Sequence, residues 1–418
     1  MGRQRVNFLS ILLLVLISTF PLIDLLYPGK LEGVNRTIPI LHKLLLLFFL
    51  FVYFIKKQKK WWFTNSIGRI LTIFIAIHLF YFLLSSDNYS EDLFKISKTL
   101  IWYFGFFFFL DIGFRQQFSL SRLNVFFTIT TVFLFFLVFF GVSNELLFKA
   151  NRDYGASNFA YYLLFILPYL FMNKVVPYRS IIFLIISIGI AISFKRGTII
   201  LYFIMIIYLM FFSKLKEIAG KRFSDFFKLL IILVISGVYY LIVLSNLDNY
   251  IDKFSDLTAL FITGSLSDDT GSGRGLLYSL PIERWISSNP FNFLLGYGFN
   301  SAPDFYMSTA YFSQKMYAHS DFVMITHDYG LLGLSILLSL FIRLFRLVKK
   351  SMLEINKTPL ILIFLALLIK ALISGFILYE YSIYVFAILG LVLGRTRRLK
   401  IEDRIYNLQQ ITSKLSNE

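Results

Sequence analysis

Apolar residues in this chain come in a succession of runs of about 18–22 residues, each long enough to cross a hydrocarbon core of roughly 30 Å as a helix. The first is FLSILLLVLISTFPLIDLLY, residues 8–27, behind Arg3 and Arg5. It is long for a signal peptide and lacks a small-residue cleavage site, so it counts as a span. Lipid offers no water to backbone N–H and C=O groups, so a crossing run must pair them internally as an α-helix. The alternating segments of about ten residues that build an outer-membrane barrel are absent. The 418 residues are 57% hydrophobic and 19% aromatic, with mean hydropathy +0.72. Soluble domains run at roughly 45–50% apolar. The expected fold class is therefore an all-α integral membrane protein.

About twelve transmembrane helices are expected, near 7–27, 38–55, 67–84, 93–112, 120–141, 156–172, 178–194, 197–213, 227–245, 321–345, 358–379 and 381–395. Placing the N-terminus inside assigns segments 1–6, 56–66, 113–122, 172–180, 213–228, 343–357 and 395–418 to the cytoplasm. Those segments hold most of the chain's 41 Lys and Arg. Basic residues mark cytoplasmic loops, so the topology is N-in/C-in. Residues 1–245 then form spans 1–9, 246–320 a large outside loop between spans 9 and 10, 321–395 spans 10–12, and 396–418 a basic cytoplasmic tail. The tail opens RTRRLK and reads as a surface helix near anionic headgroups. A connector as long as 246–320 is usually functional or disordered. Its aromatic residues, among them Phe291, Tyr297 and Phe305, argue against disorder.

The net charge of +17 lies mostly in short loops. That pattern fits topology and contact with anionic membrane lipids, with no nucleic acid as partner. The chain has no cysteine, which excludes disulfides, thiol catalysis and Cys metal sites. It also lacks a P-loop, a GxSxG elbow and HExxH. Asp268–Asp269 would suit a hard cation or simply a solvated turn. No metal and no cofactor is expected.

Few basic residues face outside, against the charge bias, so each needs a reason. Lys195 and Arg196 occupy SFKRG, a tight turn between the seventh and eighth spans. Such an arginine pairs with an anion, and its planar fork matches phosphate oxygens. The alternative is snorkelling to headgroups. Arg274 lies between glycines in GSGRG, where open backbone suits an anion, although many such loops are only loops. Arg152 stands just before the sixth span, and Arg284 follows Arg274 by ten residues. His319 closes the loop in AHSD, beside Ser320 and Asp321. Its unperturbed pKa of about 6.5 suits a general base, and a helix-start role is the alternative. His327 reads as a packing residue, and His42 and His78 as structural ones. Lys370 is an intramembrane charge, either functional or paired with Glu380 or a carbonyl.

Four segments together resemble the O-antigen ligase/polymerase superfamily, which includes Wzy-type polysaccharide polymerases and WaaL-type ligases. NRDYGASNFAYYLL (151–164) resembles its Arg…Gly…Asn opening of a span. SFKRG (193–197) resembles its Ser-x-Ser-Arg-Gly turn, with Phe194 and Lys195 departing from the commonest form. GRGLLYSLPIERWISSNPFNFLLGYGFN (273–300) resembles its Arg…Asn-Pro…Gly-x-Gly-Phe passage. AHSDFVMITHDYGLLGL (318–334) resembles its Ala-His-Asn/Ser…Gly-Leu-Leu-Gly segment.

The resemblance implies a GT-C-like polytopic glycosyltransferase of lipopolysaccharide or polysaccharide biosynthesis. It would sit in the bacterial inner membrane, with the large loop and active site facing the periplasm. Donor and acceptor would be glycans carried on undecaprenyl pyrophosphate, and a chain-length regulator is a further expected partner. His319, Arg196 and Arg274 would be catalytic. Arg152, Tyr154, Asn158, Lys195, Arg284, Ser320 and Asp321 would bind substrate, with Ser320 or Asp321 orienting the imidazole. The aromatic-rich, Lys-rich composition resembles polysaccharide-locus proteins and favours a polymerase over a ligase that transfers glycan to lipid A core. A lipid-linked glycan flippase is the rival from another class, but a transporter places its charges near the bilayer midplane.

Overall fold

A computed structural model describes residues 8–26, 37–57, 65–85, 89–115, 120–147, 159–172, 178–193, 196–212, 224–225, 274–309, 317–350, 354–377, 379 and 381–415. Among these residues the chain is helical throughout, with no strand. In order the helices are α1 (Phe8–Leu26), α2 (Thr37–Lys57), α3 (Ser66–Ser85), α4 (Tyr89–Arg115), α5 (Leu120–Leu147), α6 (Phe159–Leu170), α7 (Arg179–Ile192) and α8 (Arg196–Phe211). After them come α9 (Arg274–Ile286), α10 (Pro290–Leu295), α11 (Ser301–Ser308), α12 (Asp321–Lys350), α13 (Glu354–Ile373) and α14 (Ser382–Leu415).

Ser66–Ser85, Asp92–Arg115, Arg122–Phe140 and Asp321–Lys350 are long and apolar enough to cross a membrane, and α1, α6, α7 and α8 contain shorter apolar helices. The chain is thus a polytopic helical membrane protein. The outward faces carry Phe48, Phe51, Phe80, Leu83, Leu84, Ile129, Phe136 and Phe140, all exposed. In water such a surface would aggregate; in a bilayer it meets acyl chains. The span expected at 227–245 and the loop before Arg274 lie outside the described residues.

Two helices form the axis of the bundle. Every residue of GFFFFL (105–110) on α4 is buried, and so is every residue of α6. Lipid supplies no hydrophobic drive between helices, so close backbone approach over small residues does the packing. A Cβ on Gly394 of α14 would fall 2.2 Å from the carbonyl oxygen of Leu110, and one on Gly390 would fall 2.4 Å from that of Phe106. Trp102 stacks on Phe386 with centroids 4.2 Å apart, and its indole N–H donates to the Ile377 carbonyl at 2.9 Å.

Hydrogen bonds bring the C-terminal ends of α3 and α13 together with the N-terminal ends of α4, α6 and α12. Phe299 N–H donates to Ser85 Oγ at 2.8 Å. Tyr161 and Ser374 hydroxyls lie 3.1 Å apart. Asp321 reaches the backbone at Phe376 and Ile377. We call this the site end. At the opposite end Arg343 Nε donates to Ser66 Oγ at 2.5 Å and Arg395 to the Met172 carbonyl at 3.2 Å.

Three features go beyond the sequence expectation. The loop carries three helices in its later part. Helix α12 is broken at Gly330, with φ 59° and ψ −152°. Helix α14 runs unbroken past 395 into the basic tail, because the tail is rich in helix formers and adds an i,i+4 pair of Arg398 and Glu402 at 2.7 Å.

The axis packing predicts that Gly394→Leu lowers stability by about 1–3 kcal/mol. Gly105→Ala, whose Cβ would meet only the flexible Ile383 side chain at 3.2 Å, should be mild by comparison. Thermal unfolding in detergent checks this; a Gly394→Leu protein with the parental midpoint contradicts the close α4–α14 contact.

Candidate active site

The break at Gly330 leaves the carbonyls of the preceding helical turn without partners in the helix. The strand-like passage after α10 supplies them. Tyr297 N–H donates to the His327 carbonyl at 3.1 Å and Gly298 N–H to the Asp328 carbonyl at 3.0 Å. This requires the two backbones to touch. A Cβ on Gly296 would lie 2.3 Å from the Asp328 oxygen, and one on Gly330 would lie 2.6 Å from Gly296 N. Both glycines have positive φ. The Gly-Tyr-Gly motif of the loop is therefore the cap of a broken span.

A buried polar network rests on that cap. Asp328 Oδ1 accepts from Ser301 Oγ at 2.9 Å and from the Ala302 N–H, in the first turn of α11, at 3.1 Å. His327 Nδ1 lies 3.1 Å from the same carboxylate oxygen, and its Nε2 lies 3.4 Å from Arg284 Nη1. An arginine only donates, so Nε2 is the acceptor and Nδ1 carries the proton toward Asp328. The imidazole stacks between Tyr297 and Phe305, at 4.9 and 5.5 Å. The Arg284 guanidinium covers the same two rings at 4.0 and 4.5 Å. Tyr306 donates to the Leu277 carbonyl, tying α11 to α9. Burial, with Asp328 and Tyr278 nearby, raises its phenol above the ordinary range, so it stays a donor.

The His319 turn is held by a second network. His319 has φ 49°, a left-handed backbone that costs a non-glycine residue roughly 1–2 kcal/mol. Its neighbours fix it there. Ser320 Oγ donates to the Ala371 carbonyl at 3.0 Å. The Asp321 carboxylate accepts from Phe376 N–H at 2.7 Å and Ile377 N–H at 3.3 Å. Tyr278 Oη lies 3.4 Å from the His319 carbonyl and 3.5 Å from that of Ile373. Lys370 lies within electrostatic reach of Asp321. Its ammonium is buried 3.3 Å from the Tyr161 ring centre and 4.7 Å from that of Tyr381. A desolvated cation over aromatic faces gains about 2 kcal/mol.

These contacts bring the expected arginine positions toward His319. Arg196 is the first residue of α8, and a Cβ on its neighbour Gly197 would lie 2.7 Å from Tyr161 Oη. Arg274 is the first residue of α9, one turn before Tyr278. Only their backbones are described. Arg152, Tyr154, Asn158 and Lys195, with Asp268, Asp269 and Glu380, lie outside the described residues. Arg284 joins the His327 network instead of the His319 turn. Ser320 and Asp321 bond to α13 and to the backbone after it, so their described bonds hold the turn and do not point at the imidazole. Among the described residues no group of three His, Asp or Glu is placed to hold a metal ion.

Sequence reasoning did not single out Asp328, Ser301 or the tyrosines around Lys370, and it read His327 as a packing residue, which its buried bonds and ring contacts fit. One signal was available. Adjacent His and Asp inside an apolar run are expensive in a membrane unless bonded, and the nearby Gly330 marks where bonding partners can enter. No curated protein matches the chain. A family model described as O-antigen ligase matches residues 181–338, from α7 to the middle of α12, taking in Arg196, Arg274, Arg284, His319 and the capped break. Over that segment the chain is similar to the O-antigen ligase family.

Proposed function

We propose that this protein is a polysaccharide polymerase of the O-antigen or capsule type. It joins undecaprenyl-pyrophosphate-linked repeat units at the periplasmic face, in a bundle of about twelve spans with both termini in the cytoplasm. The observation that carries the reading is the convergence at one bundle end of the His319 turn with the helix starts bearing Arg196 and Arg274.

The chemistry is what the family resemblance implies, and that grouping suits it. A hydroxyl oxygen of the acceptor sugar attacks the anomeric carbon of the donor's first sugar. The bond from that carbon to the pyrophosphate oxygen breaks, and the configuration inverts. His319 accepts the hydroxyl proton. Arg196 and Arg274 neutralise the departing pyrophosphate with preorganised, charge-assisted hydrogen bonds, and no metal is needed. Arg152 and Lys195 add positive charge along the same face, and Tyr154 and Asn158 contact sugar. Ser320, Asp321 and Lys370 act through the turn, as positioning residues for His319.

Ligation to lipid A core is the second reading, favoured by the description of the matching family model itself. Purified protein in liposomes separates the two. Lipid-linked repeat units alone should give a ladder of products; a single product formed only when lipid A core is added assigns a ligase.

Three outcomes test the residue roles. His319→Ala should lower turnover about 100-fold or more, with the protein still inserted; long polymer at parental levels removes His319 as the base. Arg196→Ala and Arg274→Ala should each impair donor use more than in the Lys variants, which keep charge but lose the fork. Equal and mild effects would assign the arginines to headgroup contact. Activity should survive EDTA, and a metal requirement would turn attention to Asp268 and Asp269.

A further inference from the structure

Residues 285–303, WISSNPFNFLLGYGFNSAP, contain no charged side chain, although the loop around them does. They include the turn from α9 into α10 and the return passage that caps α12. Their depth can be measured against α3. That helix has 20 residues, about 30 Å, and is flanked by polar Asn65 and Ser85. Phe299 meets it at Ser85, the helix end. The Leu295 carbonyl accepts from Tyr81 Oη at 2.6 Å, four residues or about 6 Å further in. Tyr329, next to the break against which α10 packs, bonds His78 at 2.5 Å, about 10 Å in from Ser85. The chain thus leaves the bundle end, descends beside a membrane span and returns.

Apolar side chains make up much of the hairpin's exposed surface, with Ser287 and Asn289 exposed beside them. Ile286 is 63% exposed, Phe291 68% and Leu294 50%. Leu294 adjoins Leu295, whose carbonyl meets α3 at Tyr81, within a turn of Phe80, Leu83 and Leu84, which face outward. The polar groups of the turn are hydrogen-bonded within it. Ser287 Oγ donates to the Glu283 carbonyl and Ser288 Oγ to that of Trp285, each at 2.7 Å. Asn289 Oδ1 accepts from Asn292 N–H at 2.8 Å, and the Trp285 indole N–H donates to the Phe293 carbonyl at 2.9 Å. A turn in water has no need to close its hydrogen bonds this way, whereas non-helical backbone at membrane depth must.

We infer that residues 285–298 form a re-entrant hairpin whose tip, Ile286, Phe291 and Leu294, is seated among lipid acyl chains in the half of the bilayer nearest the site. Arg284 stands two residues before Ile286, so the hairpin fixes its guanidinium at the boundary between hydrocarbon and the polar network of His327 and Asp328. The inference stands apart from the proposed reaction, because it concerns depth and not turnover.

The absence of native cysteine makes every introduced one a unique label site. Phe291→Cys, Leu294→Cys and, as a control on α11, Ser308→Cys carry a nitroxide in protein reconstituted into phosphatidylcholine vesicles. All three positions are exposed, so the label displaces no core residue. Relaxation by oxygen, which concentrates in hydrocarbon, should exceed that by a water-soluble nickel chelate at 291 and 294. The reverse is expected at 308. Nickel access at 291 and 294 equal to that at 308 would overturn the re-entrant assignment, whatever the protein's activity.

Discussion

Helix α12 cannot continue through Gly330, and a membrane cannot leave its carbonyls bare. The two N–H groups of Tyr297 and Gly298 resolve that conflict, and the arrangement of the site end depends on it. The cap draws the loop down onto the span. It places Ser301 and the first turn of α11 over Asp328, and it sets Tyr297 and Phe305 as walls for His327 and Arg284. A loop that would otherwise be a tether becomes part of the bundle.

Above the break, the turn at His319 is held by unlike means. Its left-handed backbone is unfavourable alone and persists because Ser320, Asp321 and Tyr278 clamp both sides of it to the end of α13 and the backbone beyond. Lys370 lies within electrostatic reach of the buried Asp321 while itself resting on tyrosine rings. Strain concentrated at one histidine, paid for by its neighbours, is the pattern of a preorganised functional group.

The spans were legible because lipid imposes a length and a hydrophobicity that no tertiary contact can override, as in α3 and α5. His319 and the two arginines stand out in the sequence as charges placed against the expected topological bias. The His327 network was not, since its members are spread over residues 284–328 and meet only through the cap. Nor was the inward clamp of Asp321 visible, because a carboxylate beside a histidine looks like an orienting partner until its acceptors are seen to face Phe376 and Ile377. The glycines of GYG carried the missing information, as positions where one backbone must lie against another.

The central claim is a single displacement at the anomeric carbon, with His319 taking the acceptor's proton. Its most direct test is the configuration of the new linkage, read from the one-bond carbon–proton coupling at the anomeric centre of the product and compared with that of the pyrophosphate donor. Inversion is the result the account requires. Retention would demand a covalent glycosyl intermediate and would contradict it.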